Sequence, residues 1–391
     1  MTWHPPGFCF AARMSPLRVW VRRVVVWVAC GAAVLSGSFS GLTAAPAAAP
    51  TAAGVSAGAG IAPGVSPAAS SGTRDRVPWR ATVGIERGAG TVAVTLDGRL
   101  FTTYFFGDAA PKTYFHPILA VDGTQLSRSY PMADVPGEAR DHPHHRGLWF
   151  AHGSVNGVDF WAEKAGTTGR IVSTGQPTAR VDPGSDEAAG VAVIEDRRRW
   201  LAPDGRQVCT DRLSVRITPL PNGSQWDVTI TLEALADAPL VLGDTKEGTF
   251  ALRLARWMTL PHRAQGRDEP GVGQMVNSTG ASGAGIWGQR AEWVDYFAPR
   301  EGIIHGVAFF DAPTNPRHPT WWHVRDYGLF AANPFGRHDF EGLKDQPRIG
   351  DLTVPAGQSI TFRYGVYIHL GDTAAGEVAW LYRQFAGRGQ P

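Results

Sequence analysis

DVTITLEA, residues 227–234, sets Val228, Ile230 and Leu232 on one side of an extended chain and Thr229, Thr231 and Glu233 on the other. A period of two marks a strand with one buried face. RLSVRIT, residues 212–218, repeats the pattern with Leu213, Val215 and Ile217. Between such runs stand Asp97-Gly98, Asp122-Gly123, Asp204-Gly205 and Asn222-Gly223, dipeptides that tolerate the positive φ angles of tight hairpins. Neighbouring strands are therefore expected to be antiparallel. DLTVPAGQSITFRYGVYIHLG, residues 351–371, is expected to form a further hairpin with Ile360, Phe362, Tyr364, Val366 and Ile368 on one face. Only TAAGEVAWLYRQFAG, residues 373–387, has helical spacing, with Val378, Leu381, Tyr382 and Phe385 in one apolar stripe. Many short strands without alternating helices predict an all-β fold, a large antiparallel β-sandwich with a C-terminal helix.

The chain has 391 residues, 43% of them hydrophobic and 18% charged, enough to bury a substantial core. Its beginning reads differently. RVWVRRVVVWVACGAAVLSGSFSGLTAAPAAAP, residues 18–50, combines arginines, an apolar run and a small-residue segment. It predicts a secretory signal peptide over residues 1–43 and hence a secreted protein. Residues 44–76, largely Ala, Gly, Pro, Ser, Thr and Val, are expected to be a disordered linker, leaving 77–391 as the β domain. Removing residues 1–50 takes away four arginines and no acid, which leaves 33 basic against 35 acidic residues. A net charge of about −2 gives no support to nucleic-acid binding. Without the leader no apolar stretch reaches the length of a membrane span. Cys209 is the one cysteine beyond the leader, expected as a buried small hydrophobe.

The chemically dense stretches are those that break the alternation. DHPHHRGLWFAHGSVNG, residues 141–157, holds four of the twelve histidines. Pro143 rules out a regular helix there and Gly147 precedes an apolar run, so His142, His144 and His145 are placed on a loop entering a strand. If extended, His144 and His145 point to opposite faces and at most one serves a pocket, while His142 and His144 share a side. Imidazole suits acid–base work near neutrality, with Glu138 or Asp141 placed to orient it. The same residues also suit metal binding, His-x-His being a common ligand spacing, or a purely structural polar loop.

In LGDTKEGTFALRLA, residues 242–255, Lys246 is one of four lysines in an arginine-rich chain and adjoins Glu247. Lysine, unlike arginine, can lose its proton when buried. WGQRAEWVDYFAP, residues 287–299, and NPRHPTWWHVRDYGLFAANPFGRHD, residues 315–339, bring aromatic and charged residues together, among them Trp322, His323, Arg325, Asp326 and Tyr327. Aromatic faces beside carboxylates and guanidinium groups suit sugar rings, although most of the fourteen tryptophans are expected in the core. No phosphate loop, zinc-protease helix or G-x-S-x-G elbow is present.

Taken in order, DHPHHRGLWFAHGSVNGVDFW, GDTKEGTFALRLA, WGQRAEWVDY and HPTWWHVRDYGLFAANPFG resemble the PmoA-like family of secreted or periplasmic bacterial proteins, over about residues 80–388. That family has no settled activity. Its label implies a methane monooxygenase subunit, but the membrane enzyme needs several spanning helices and this chain offers only its leader. Its β domain is similar in type to the supersandwich of galactose mutarotase-like sugar enzymes, a likeness of fold alone. The analogy implies that loops at one open end of the sandwich gather His142, His144, His145, Arg146, Lys246, Glu247, Trp322, His323 and Asp326 around one cleft.

The leading expectation is a carbohydrate-active enzyme, an epimerase, lyase or hydrolase, acting on a small-molecule or glycan substrate. His144 or His145 would be the acid or base, Glu247 or Asp326 the partner carboxylate, and Arg146 and Lys246 charge stabilisers. Trp322 would be a stacking platform, with His142 and His323 completing the substrate contacts. A non-catalytic glycan-binding module and a metal-dependent oxygenase or hydrolase are the rival readings. The sequence specifies no cofactor.

Overall fold

The strand Gly223–Glu233, which contains the 227–234 stretch, lies inside a nine-stranded antiparallel sheet between Gln207–Leu220 and Ser359–Leu370. Val228 stands opposite Val215 on one side and Tyr364 on the other, and Ile230 opposite Leu213 and Phe362. The alternation therefore has the expected cause: these side chains share the face that meets a second sheet. The structure, a computed structural model, describes Met1 and residues 81–184, 190–264 and 266–388. Apart from Met1, the expected leader over 1–43 and linker over 44–76 lie outside the described residues.

The second sheet has eight strands. It begins with Val83–Gly88, Thr91–Leu96, Arg99–Phe105 and Tyr114–Phe115, and continues through Leu148–His152, Gly248–Arg253, Leu329–Asn333 and Trp321–Val324. Phe250 and Phe330 cross from it to the nine-stranded sheet, where Phe250 stacks on Tyr364 and Phe330 on Phe309 at 4.3 Å. One continuous core fills the space between the sheets and contains Cys209. The protein is thus all-β, an antiparallel sandwich. The C-terminal helix Val378–Gly387 covers the outer face of the nine-stranded sheet, where Val378, Leu381, Tyr382 and Phe385 pack against Phe310 and Tyr367 in a smaller second core. That cover explains why Ser359–Leu370 is buried on both faces along most of its length.

Turn chemistry held where it was local. Asp97 and Gly98 both take positive φ in the two-residue loop joining Leu96 to Arg99. At 220–223 the loop residues are Pro221 and Asn222, one position earlier than the Asn-Gly dipeptide suggests. The expected 351–371 hairpin does not form. Leu352–Val354 pairs with Leu240–Leu242, more than a hundred residues away in sequence, and Ser359–Leu370 joins the nine-stranded sheet. No local pattern distinguishes a hairpin partner from a distant one when both runs alternate. Among the described residues no helix is long and apolar enough to cross a membrane.

Candidate active site

In an antiparallel sheet, residues directly opposite one another share a face. Trp149, Ala251, Ala331 and His323 form such a row across four adjacent strands, Ala251 opposite both Trp149 and Ala331, and Ala331 opposite His323. Their sequence neighbours Phe250, Phe330 and Trp322 face the core, so the row lies on the outer face of the eight-stranded sheet. Three strand spacings separate its ends, about 14 Å, and of the four only His323 reaches the cleft on this face. That cleft, of about 420 Å³, is lined in part by His142, His144, His145, Lys246, Glu247 and His323. Six of the nine expected site residues therefore meet, on a sheet face rather than at the open end of the sandwich.

The three clustered histidines enter the cleft together because they are not extended. The His145 amide donates to the His142 carbonyl at 3.0 Å, closing a turn through Pro143 and His144, and His142 takes a positive φ of 44°. The His144 ring stands 4.5 Å from that of His145, and the His142 ring stacks on His145 at 4.7 Å. Extended backbone would have separated them; the turn corrects that expectation. Gly147 ends the loop with a φ of 53°, and a Cβ there would lie 2.1 Å from the Phe115 carbonyl oxygen, so only glycine fits.

Asp141 orients the turn. Its Oδ2 accepts from His142 Nδ1 at 2.6 Å, while Oδ1 accepts from Arg128 Nη1 at 2.5 Å and Arg253 Nη2 at 2.9 Å. Burial works to raise the Asp141 carboxyl, and His142, Arg253 and Arg128 together overcome it and hold it well below the usual carboxylate range. Arg253 Nη1 donates to His145 Nδ1 at 3.2 Å. Burial, reinforced by Arg253, pushes His145 well below the ordinary imidazole range. His145 is consequently a neutral ring held from behind, 1% exposed. His144 is more open, and none of its ring nitrogens is hydrogen-bonded among the described residues. Burial and the nearby Lys112 ammonium lower it to about 4.

His323 faces the turn from the other side. Its Nδ1–H donates to the Lys246 carbonyl at 2.7 Å, which fixes the tautomer and leaves Nε2 with the lone pair. Burial lowers its pKa to about 4, opposed chiefly by the charge of Glu247. The Lys246 amide donates to Asp339 Oδ2 at 2.9 Å. With its backbone clamped at both ends, Lys246 extends a half-exposed side chain whose Nζ lies 2.9 Å from Glu247 Oε1.

Three expected residues belong elsewhere. Trp322 is 0% exposed, and its Nε1 donates to the Ala291 carbonyl at 2.9 Å. It alternates with His323 on one strand, so when His323 faces the cleft Trp322 must face the core and presents no stacking surface. Arg146 turns behind the cleft, donating from Nε to both oxygens of Glu163 at 2.9 Å. Glu163 also pairs with Lys112 at 2.9 Å, completing a buried three-charge cluster. Asp326 is spent on a turn: its Oδ1 accepts from the Tyr327 amide and its carbonyl from Leu260 and Tyr296.

The walls that replace them are Trp161, Asp159, Lys164, Arg325, Tyr327 and Leu329. Trp161 Nε1 is buried without a hydrogen-bond partner among the described residues. Tyr327 stacks on the His142 ring at 5.5 Å, so Tyr327, His142 and His145 form a ladder of flat rings. Nothing in the spacing of Asp159 or Trp161 set them apart; only the pairing of distant strands does. Among the described residues no three His, Cys, Asp or Glu side chains converge as a metal-ligand set.

No curated protein matches the sequence. Among solved structures the chain is similar to the α-galactosidase of Lactobacillus brevis, with 11% identity, 79% of this chain and 43% of that one covered, and a TM-score of 0.37. It is also similar to a GH36 α-galactosidase of Geobacillus stearothermophilus, at 12% identity over 74% of this chain and 41% of that one, TM-score 0.36. A putative aldose 1-epimerase of Escherichia coli is similar at 11% identity over 74% of this chain and 99% of that one, TM-score 0.29. The chain spans less than half the length of the two galactosidases. The family match, over residues 91–383, carries neither the PmoA-like label nor an activity. On that match the chain belongs to DUF6807, a family of unknown function.

Proposed function

We propose that this is an exported carbohydrate-active enzyme that moves a proton on a sugar ring, by epimerisation or elimination. The observation that carries the reading is an imidazole nitrogen with no hydrogen-bond partner among the described residues, His323 Nε2, in the same cleft as the Lys246–Glu247 ion pair, walled by flat aromatic rings. Rings such as Tyr327 and His142 suit the apolar C–H faces of a sugar, while the charged groups meet its hydroxyls.

In this reading His323 Nε2 takes the proton from a ring carbon beside a carbonyl or carboxyl group. In epimerisation water returns a proton to that carbon on its other face; in elimination the β C–O bond breaks and its oxygen leaves with the proton the imidazolium gives back. The Lys246 carbonyl holds the imidazole in the tautomer that can accept it, and the Glu247 charge stabilises the imidazolium that forms. The Lys246 ammonium, its pKa raised by the Glu247 contact, stays charged and stabilises the negative oxygen left on the sugar. His144 offers a further hydrogen bond from the opposite wall. Glycoside hydrolysis uses two carboxyl groups flanking the bond. Here the second cleft carboxylate, Asp159, holds the Trp161 and Ala162 amides through Oδ1.

The test is a screen of the purified protein against neutral and oxidised mono- and oligosaccharides in D₂O, read by NMR. Deuterium entering a ring position, or a new unsaturated product, supports the reading. Saccharide binding by calorimetry with neither change would make the protein a glycan-binding module instead, and a panel that neither binds nor exchanges would overturn both.

A further inference from the structure

A second cavity, of about 680 Å³, adjoins the histidine cleft and shares Tyr327 with it. Its lining holds six arginines and three carboxylates. The wall between the two spaces is the Asp141 network: Asp141 and Arg253 line the second cavity, and they hydrogen-bond His142 and His145, which line the first.

The charges in this cavity do not balance. Arg128 and Arg253 are only 2% and 3% exposed in their side chains, yet both pair with the single carboxylate of Asp141. Two buried guanidinium groups sharing one anion repel each other in a medium that screens poorly. Burial and the Arg253 charge accordingly push Arg128 down to about 10. Glu138, the next nearest carboxylate, spends its oxygens on the Ser129 and Tyr130 amides. Arg140 pairs with Asp134, and Arg256 with Glu269. Arg263, opposite Asp268 in the hairpin register, and Arg267 form no ion pair among the described residues. Arg253 Nε, moreover, is buried with no acceptor among the described residues. The uncompensated positive charge of the buried wall and the exposed Arg263 and Arg267, unpaired among the described residues, together leave the cavity short of anions.

We infer that this cavity is a subsite for an anionic substituent, carboxylate or sulfate, of a saccharide whose reacting ring lies in the adjoining histidine cleft. The inference rests on the carbohydrate reading of that cleft and gives it a substrate class, acidic saccharides. Guanidinium groups match the planar, two-oxygen edge of such anions. An anion near Arg253 would also offset the positive charge that bears on His145.

Calorimetry with trigalacturonic acid, its methyl ester, and a sulfated and an unsulfated galacto-oligosaccharide tests this. At low salt at least one charged ligand should bind about tenfold or more tightly than its neutral counterpart, the responding pair identifying carboxylate or sulfate as the group. In 0.5 M salt the preference should shrink. The R263Q/R267Q double variant, altered only at exposed positions, should lose most of it while keeping its affinity for the neutral ligands. Equal binding of charged and neutral forms, or a preference that survives R263Q/R267Q, would overturn the inference. Turnover separates it from the cleft's chemistry. Arginine-dependent binding with wild-type turnover in His323→Ala would leave the subsite standing and remove the catalytic reading. Histidine-dependent turnover of neutral sugars with no gain from charge would do the reverse.

Discussion

Two lysine–glutamate pairs in this protein have the same length and different surroundings. Lys112–Glu163 and Lys246–Glu247 both close at 2.9 Å. The first is 1% and 7% exposed in its side chains and the second 42% and 40%. Lys112 Nζ also donates to the Trp161 carbonyl, and Glu163 also grips Arg146, so every charge there is answered within the fold. Burial draws the Lys112 ammonium down despite Glu163, whereas the Glu247 contact draws Lys246 up. Lys246 and Glu247 stay half-exposed and line the same cleft as His323. The difference teaches that composition does not separate an ion pair closed within the fold from one left open in a cleft, where the proposed function puts it to work. What separates them is whether hydrogen-bonding capacity is left over.

The largest effect that would break this contrast is on stability. Glu163→Gln leaves Lys112 and Arg146 buried with one carboxylate fewer, and should destabilise the fold by about 3–5 kcal/mol, read as a lowered urea midpoint. Glu247→Gln should change stability by less than about 1 kcal/mol, as half-exposed pairs do. If the two variants unfold at the same urea concentration, the contrast is wrong. The next effect is on turnover: Glu247→Gln should slow the reaction on a sugar substrate by about a hundredfold, while the core variant Trp322→Phe, if folded, should turn over like wild type.

A smaller effect is the dependence on pH. Burial holds His116, His144, His152 and His323 at about 4, below the ordinary imidazole value they regain on unfolding. Between about pH 4 and 6.5 the unfolded chain therefore binds more protons, and stability rises with pH across that window. The contribution is complete above about 6.5 and is lost as pH falls toward 4. Asp196 and Asp311, raised by burial, oppose it in part. The urea midpoint should drop between pH 7 and 4.5; a flat profile would contradict neutral burial of these rings. Smallest of all, Lys246→Arg should keep the charge but cost a few-fold in rate, because a guanidinium fork does not place its donors where the ammonium does.

Much of the fold was legible because its causes are local. Val228, Ile230 and Leu232 alternate because one face meets the other sheet, and Val378, Leu381, Tyr382 and Phe385 repeat because one helix face meets Phe310 and Tyr367. The pairing of Leu352–Val354 with Leu240–Leu242 was not, because either of two alternating runs satisfies the same pattern. At the site, the clustered histidines, the Lys246–Glu247 pair and His323 stood out as residue types that the alternation does not need, while the turn that brings the histidines together did not. Arg146 and His145 are sequence neighbours with opposite fates, one in the closed Glu163 cluster and one in the cleft. Trp322 and His323 divide in the same way across a single strand. For Trp322 and His323 alternation predicts that one of the two faces the site, and only the far side of the sheet decides which; His145 and Arg146 lie in a turn that alternation does not describe.

The central claim is that His323 Nε2 is the working nitrogen of the cleft. It is tested most directly by turnover of His323→Ala beside wild type, on whichever saccharide of the screen the wild type exchanges, with the urea midpoint of each recorded. The account predicts a loss of at least about a hundredfold in rate without loss of the folded state. A folded His323→Ala protein that turns over at the wild-type rate would contradict it.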